Sequence, residues 1–154
     1  MDEPGSQERP RIVVGVDGSE GSQNALRWAA RQAGNTGATL EAVIGWQYPA
    51  FYGWAPAVPD DADYGQIAEQ VLTETLDKVF GPDRPARLIT RVVARHPAEA
   101  LVEASEGAEL LVVGNRGHGG FADALLGSVS TYCVHHAHCP VTVIRPARHG
   151  HGPH

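Results

Sequence analysis

The chain has 154 residues, of which 42% are hydrophobic, and a formal net charge of −6. This length and hydrophobic content suit one domain with a substantial core. The acidic balance argues against a nonspecific nucleic-acid binder, which is normally basic, and against a polybasic patch for membrane binding.

The first half of the chain predicts two strands, each followed by a helix. Residues Ile12–Val16 form a nearly continuous apolar run, typical of a buried parallel strand, which Asp17-Gly18 ends. Ser19 can cap the next helix and Gly34 can end it. Its apolar face comprises Ala25, Leu26, Ala29, Ala30 and Ala33.

The second predicted strand covers residues 38–46, and a loop rich in proline and aromatic residues follows it. A longer amphipathic helix comes next, and Gly81-Pro82 ends it. Helical spacing assigns its inner face to Ile67, Val71, Leu72, Thr75, Leu76, Val79 and Phe80.

The second half of the chain continues the alternation of strand and helix. Residues 86–94 predict the third strand, and Pro97 opens a short helix at a position where its missing N–H does no harm. Residues 108–114 predict the fourth strand. A last helix runs from Ser128 to about residue 137, before Cys139-Pro140 and a fifth strand.

Five strands alternating with four helices predict an α/β domain whose parallel sheet is covered by helices on both faces. We expect a doubly wound sheet of order 3-2-1-4-5, within a single domain over residues 10–146. Residues 1–9 are expected to be a disordered leader and residues 147–154 a disordered, histidine-rich tail. No signal peptide and no run of 18 apolar residues is present, so we expect a cytoplasmic, non-membrane protein.

The predicted strand order brings two polar segments together. Strands 1 and 4 are neighbours whose helices leave on opposite faces, and ligands of such sheets bind in the crevice at their carboxyl ends. Asp17 follows strand 1 and Gly114 ends strand 4. The sequence therefore predicts a binding site between Asp17 and the glycine-rich segment, residues 114–127.

The chemistry of the glycine-rich segment suits a phosphate group. Glycines let backbone N–H groups approach an anion, and Gly127-Ser128 precedes a helix with a positive dipole end. Arg116 can offset phosphate charge, whereas Asp17 fits only beside a ribose or a divalent cation. The only lysine, Lys78, lies elsewhere, which excludes a Walker loop, and the first turn lacks the dinucleotide spacing.

The segment "GNRGHGGFADALLGS" has the pattern G-x2-G-x9-G-[ST], which resembles the ATP-binding branch of the universal stress protein family. "VVGVDGSEGSQNAL", "AELLVVGNRG" and "CPVTVIRP" are also similar to that family. The resemblance covers residues 10–146. It implies an adenine nucleotide alpha-hydrolase-like fold, a site for ATP (with ADP or AMP left open) and Mg²⁺, and a homodimer paired through strand 141–144.

The resemblance also implies a role for each matching position. Asp17 would lie near the ribose and a Mg²⁺-linked phosphate, while Gly45 departs from the larger apolar residue common there, which we expect to weaken packing. The implied ATP-binding set is Val16, Asp17, Ile44, Gly45, Val113, Gly114, Arg116, Gly117, Gly127, Ser128, Val129 and Ser130.

Each of these interpretations has a plainer alternative. Asp17 can be a turn residue beside Gly18, and Arg116 a solvated loop residue. The histidines of "VHHAHC" are more typical of a helix end than of a metal site. The aromatic loop, residues 46–64, can shield the adenine or simply pack on its own domain.

Three functions fit this sequence. The favoured one is a nucleotide-dependent regulatory protein with an unknown protein partner. A slow ATPase or other nucleotide-using enzyme would need a placed base, and the loop offers only His118 and Asp123, without an obvious partner for either. A scaffold with a vestigial site is the third, and the intact motif argues against it.

Overall fold

The computed structural model describes residues 9–47, 63–115 and 127–145. The predicted tail, nearly all of the predicted leader and most of the aromatic loop lie outside the described residues. The described elements are β1 (Arg11–Gly15), α1 (Glu20–Thr36), β2 (Thr39–Gly45), α2 (Tyr64–Phe80), β3 (Leu88–Val93), α3 (Pro97–Ala104), β4 (Leu110–Gly114), α4 (Ser128–His136) and β5 (Val141–Ile144).

The sheet has the predicted order, β3-β2-β1-β4-β5, and all four strand pairs are parallel. Parallel strands need crossover connections, which the helices provide. Helices cover both faces of the sheet, so the prediction of a doubly wound α/β fold is confirmed. Within the described ranges, none of the helices is both long and apolar enough to span a membrane.

One face of the sheet packs against α1 and α2. Val14, Leu40 and Val112 point into this layer, and each is fully buried. The two helices contribute small and medium apolar residues, which let them approach the sheet closely. Their buried apolar residues are Ala25, Leu26, Ala29, Ala33, Ala68, Leu72 and Leu76.

The opposite face packs against α3 and α4. Val13, Val43 and Leu111 from the sheet meet Leu101 of α3 and Cys133 of α4 in one buried cluster. α3 begins with Pro97 at its first turn, as predicted, and the His96 ring nitrogen accepts a hydrogen bond from the Ala98 N–H.

Two local predictions on the helices are wrong. α1 does not end at Gly34 but continues to Thr36, and Gly37 ends it in the left-handed conformation with φ of 75°. A glycine inside a helix costs only about 1 kcal/mol, which the packing of the neighbouring alanines outweighs. Ile67, assigned to the inner face of α2, is 47% exposed, and Ala68 is buried instead.

A buried charge cluster on the α3 face had no signal in the sequence. The Glu41 carboxylate of β2 is buried and pairs with Arg11 of β1 at 2.8 Å and with Arg91 of β3 at 3.1 Å. Arg11 also donates to the backbone carbonyls of Ala104 and Glu106. Two cations therefore satisfy this carboxylate, as a buried charge requires.

Candidate functional site

The strand register places most of the predicted site residues along one edge of the sheet. Gly15 of β1 lies opposite Val43 of β2, and Gly114 of β4 lies opposite Ile144 of β5. The Val16 N–H donates to the Val43 carbonyl at 2.9 Å, so Val16 still belongs to the sheet. Val16, Ile44, Gly45, Val113 and Gly114 consequently lie at the carboxyl edge, where the order reverses between β1 and β4.

Asp17 forms the turn that joins β1 to α1. Its Oδ1 accepts hydrogen bonds from the Ser19 N–H at 2.9 Å and the Ser19 hydroxyl at 2.5 Å, and Gly18 adopts φ of 84°. Ser19 in turn accepts from the Ser22 N–H and caps α1. Asp17 is therefore a turn residue, as the plainer interpretation predicts. It is half-buried and lies at the carboxyl end of β1.

Gly114 is required by packing between β4 and α1. A Cβ at this position would lie 2.7 Å from the carbonyl carbon of Gly21 and 2.8 Å from its oxygen. Both contacts are with backbone, which has little room to shift. The two glycines let the end of β4 lie directly against the first turn of α1.

Gly45 has a similar role at the end of β2. A Cβ there would lie 2.7 Å from the Pro97 Cα and 2.9 Å from the Arg95 carbonyl oxygen. The space that a larger residue would fill is occupied by the backbone that enters α3. The expectation that Gly45 weakens packing is therefore wrong, because the neighbouring loop packs directly on it.

Asn115 joins the end of β4 to the start of α4. Its carbonyl oxygen accepts from the Gly127 N–H at 2.8 Å and the Ser130 hydroxyl at 3.0 Å, and its N–H donates to the Ile144 carbonyl at 2.9 Å. Asn115 and Ser130 are both buried. Because the Ser130 hydroxyl and the Gly127 N–H donate to Asn115, they hold the amino end of α4 at the crevice.

The amino end of α4 has no side-chain cap among the described residues, since its N-cap is Gly127. The first intrahelical bond runs from the Thr131 N–H to the Gly127 carbonyl. The N–H groups of Ser128, Val129 and Ser130 precede it and are the orphan donors of this helix. α1 begins at the same edge but carries a Ser19 cap and an acidic first turn. Of the two helix ends, α4 is therefore the one suited to an anion.

Sequence reasoning missed two residues at this edge. Asn115 directly follows β4, and a polar residue between Gly114 and Arg116 was the available signal. Arg145 is exposed and follows Ile144, the partner of Gly114, so it supplies a cation beside the crevice. The predicted Arg116 and Gly117, with His118 and Asp123, lie outside the described residues.

The cysteines and histidines near α4 lie apart from its amino end, with His135 and His136 in its last turn. Burial raises the pKa of the Cys133 thiol to about 11, and burial also raises the pKa of Cys139, partly offset by Arg11. Both are free thiols. His136 stacks on Tyr132 at 4.2 Å. Within the described ranges, no group of three His, Cys, Asp or Glu could hold a metal ion.

The family model described as "Universal stress protein family" matches residues 8–145. A universal stress protein of Mycobacterium tuberculosis is 41% identical over 143 residues, which cover 92% of this chain and 47% of that protein. One from Mycolicibacterium smegmatis is 36% identical, covering 86% of this chain and 47% of that protein. The chain thus spans about half the length of the curated relatives it matches.

Solved structures share the same fold. A crystal structure of a universal stress protein in complex with cAMP has a TM-score of 0.64 and 28% identity, covering 90% of this chain and 98% of that chain. UspA from Lactobacillus plantarum has a TM-score of 0.66 and 23% identity, covering 90% and 99%. A protein of Archaeoglobus fulgidus in complex with dAMP has a TM-score of 0.59 and 23% identity, covering 88% and 97%.

Proposed function

Because this chain belongs to the universal stress protein family, we propose that it binds ATP at the carboxyl edge of its sheet and acts as a nucleotide-dependent regulatory module in stress response. The observation that carries the proposal is the uncapped amino end of α4, which Asn115 holds at the end of β4, the strand next to β1 and its Asp17 turn. The cAMP complex of a 28% identical protein supports an adenine nucleotide as the ligand.

The ligand's phosphates would lie at the start of α4. The N–H groups of Ser128, Val129 and Ser130 would donate to them, with the positive end of the helix dipole behind them. We assign Arg116 and Gly117 to the ribose and phosphates on the basis of the motif. Arg145 adds positive charge at the same edge.

The other end of the crevice would hold the adenosine part. Backbone at Val16, Ile44 and Gly45 would frame the adenine, and Val113 and Gly114 would line the side nearer α4. Asp17 suits the ribose hydroxyls, or the waters of a Mg²⁺ ion, because a single carboxylate with phosphates is an ordinary Mg²⁺ environment. When bound, Mg²⁺ would neutralise phosphate charge that the Asp17 carboxylate otherwise repels.

We favour regulation over catalysis because of the side chains at the edge. Phosphoryl transfer needs a base or a water-orienting group and a stabilising cation around the γ-phosphate. Two candidate bases of this edge are already engaged among the described residues: Asp17 accepts two hydrogen bonds from Ser19, and the His96 ring nitrogen at the start of α3 accepts one from the Ala98 N–H. Bound ATP would instead stabilise one conformation or assembly state that a protein partner recognises.

The decisive experiment identifies the small molecule that co-purifies with the protein by mass, strips it, and measures rebinding calorimetrically. ATP, ADP and AMP are compared with and without Mg²⁺. We expect micromolar ATP binding that depends on Mg²⁺, with turnover well below about 1 per second. Absence of binding by any adenine nucleotide would contradict the proposal, and turnover at about 1 per second or faster would show an enzyme instead.

We also propose a homodimer paired through β5, in the cytoplasm, where the two thiols stay reduced. β5 is an edge strand of the sheet, and an exposed edge strand readily pairs with a strand of another chain. The carbonyl oxygens of Pro140 and Ile144 accept hydrogen bonds from the N–H groups of Leu111 and Asn115. Because the backbone groups of successive residues in a strand point to alternate sides, those of Thr142 also face β4. The Val143 N–H therefore faces away from the sheet. Val143→Pro removes one outward donor.

Sedimentation of Val143→Pro tests the dimer. We expect a monomer with an unchanged circular dichroism spectrum, whereas Thr142→Pro, which removes a donor to β4, should lower the melting temperature further. A folded Val143→Pro variant that stays dimeric, or a wild-type monomer at micromolar concentration, would refute pairing through β5.

A further inference from the structure

A second cavity, of about 580 Å³, lies at the opposite edge of the sheet from the nucleotide site. It is lined by α1 from Arg27 onward, the end of α2, residues 83–87, which lead from α2 to β3, and the start of β2 at Leu40. α1 has 17 residues and is about 25 Å long, so its two ends separate the two sites. The cavity is within the size range of pockets that hold small molecules.

The floor of this cavity is apolar. Ala30, Ala33 and Leu40 form it together with Val79 and Phe80. All five belong to the core between the sheet and the two helices or pack against it. Such a floor can bury the hydrocarbon part of a ligand, and each Å² of apolar surface removed from water contributes favourably.

The rim carries an excess of positive charge. Arg27, Arg31 and Arg87 line the cavity against one acidic residue, Asp83, although the whole chain has a net charge of −6. In the part of the chain that the structure describes, none of the three arginines pairs with a carboxylate. Among the described residues, the one hydrogen bond from these three guanidinium groups runs from Arg27 to the Asn24 side-chain oxygen.

Among the described residues, these arginines make no hydrogen bonds to the carbonyl groups at the ends of the two helices. The carboxyl ends of α1 and α2 carry negative partial charge near the cavity, which basic side chains can offset. No arginine of the rim, however, donates to a helix-end carbonyl among the described residues, and the last turn of α1 has no basic residue. The guanidinium groups are therefore available to an anionic group.

From this combination we propose that the cavity binds a small amphipathic anion, a molecule with an apolar body on the floor and one anionic group among the arginines. The positive charge of the rim favours an anionic ligand, because a neutral apolar molecule would make no ionic contact with the arginines. Arginine suits carboxylate and phosphate headgroups equally well through its forked donors. The binding requires no nucleotide at the other edge of the sheet.

Gly34 provides a matched pair of variants. It lines the cavity, and no heavy atom lies within 4 Å of a Cβ built there. Gly34→Ala therefore adds a methyl group without a clash and favours the helix. Gly34→Trp places a large ring at the same position and should obstruct the cavity while the fold is kept.

To test the proposal, decanoate is titrated into the ¹⁵N-labelled full chain, and the NMR amide signals of Gly34 and Gly37 are followed. Decan-1-ol serves as the probe without the anionic group, and inorganic phosphate as the probe without the apolar body. We expect decanoate to shift both signals, decan-1-ol to bind about tenfold more weakly, and phosphate to bind more weakly still. Added ATP should leave the decanoate affinity unchanged.

The variants separate charge from shape. Arg31→Gln with Arg87→Gln should weaken decanoate about tenfold, because each exposed ionic contact contributes a factor of about three. Gly34→Trp should abolish binding, and Gly34→Ala should retain it. Equal affinities for decanoate and decan-1-ol, or unchanged decanoate binding in Gly34→Trp or in the arginine variant, would overturn the proposal. Decanoate shifts confined to the carboxyl edge would overturn it too.

Discussion

Replacing Gly127 with aspartate should weaken ATP binding roughly a thousandfold while leaving the fold intact. Gly127 is the N-cap of α4 with φ of −70° and ψ of 170°, an extended conformation that any residue adopts. An aspartate there would accept a hydrogen bond from the N–H of Val129 or Ser130, as N-cap residues normally do. The aspartate carboxylate would occupy the anion position that we assign to the ATP phosphates. The free energy of unfolding should therefore rise while the affinity for ATP falls.

The size of the effect follows from two contributions. The new carboxylate takes one donor from the phosphates, and a hydrogen bond to a charged group contributes about 2 kcal/mol. Repulsion between the carboxylate and a phosphate in a partly solvated crevice adds about 2 kcal/mol after screening. Together, about 4 kcal/mol corresponds to an ATP affinity roughly a thousandfold weaker. Stability should rise by a few tenths of a kcal/mol, since Asp is a slightly better N-cap than Gly.

Gly127→Asn is the matched control, because asparagine has the same shape without the charge. It competes for the same N–H but does not repel phosphate, so we expect a loss of about 2 kcal/mol, or roughly thirtyfold. Isothermal titration with Mg-ATP gives the affinities, and urea unfolding gives the stabilities. An aspartate variant that binds ATP within threefold of the wild type would show that the phosphates do not lie at the start of α4.

Four further predictions concern the scaffold. Glu41→Gln should lower the free energy of unfolding by about 2 kcal/mol, because two arginines lose a buried partner; Asp77→Asn, which breaks an exposed ion pair, should cost less than about 0.5 kcal/mol in the same urea titration. Gly114→Ala should lower the melting temperature and the ATP affinity together, since its Cβ meets backbone at 2.7 Å; a stable variant with full affinity would contradict this. Cys133, with its pKa raised to about 11, should react with a thiol reagent at pH 8 far more slowly than the less buried Cys139. The same raised pKa should make native stability fall as pH rises from about 9 towards 11, because the unfolded thiol ionises first; a flat profile in wild type and Cys133→Ala alike would contradict that reasoning.

The candidate crevice could be predicted from the sequence because its position depends on the strand order, which the structure confirms. The strand order follows from alternating elements and right-handed crossovers, and it brings the residues after β1 and β4 to one crevice. The roles within the crevice were harder to infer. The motif assigns Gly114 to ligand contact, whereas the structure shows that the absence of a Cβ there also admits the backbone of Gly21 in α1. The polar side chain of Asn115 is visible in the sequence, but the role of its carbonyl is not, since backbone hydrogen bonds leave no trace in residue type.

The sequence by itself determined the α/β class, the order of the elements, the Ser19 cap, the place of Pro97 in the first turn of α3, and the family. These features depend on local periodicity, turn chemistry and motif spacing, which a linear chain displays directly. Only the tertiary structure decided the pairing of Glu41 with two arginines, the end of α1 beyond Gly34, and the cavity between α1 and α2. Each of these depends on which distant residues pack together, and burial by distant neighbours outweighs the small local preferences that a sequence displays.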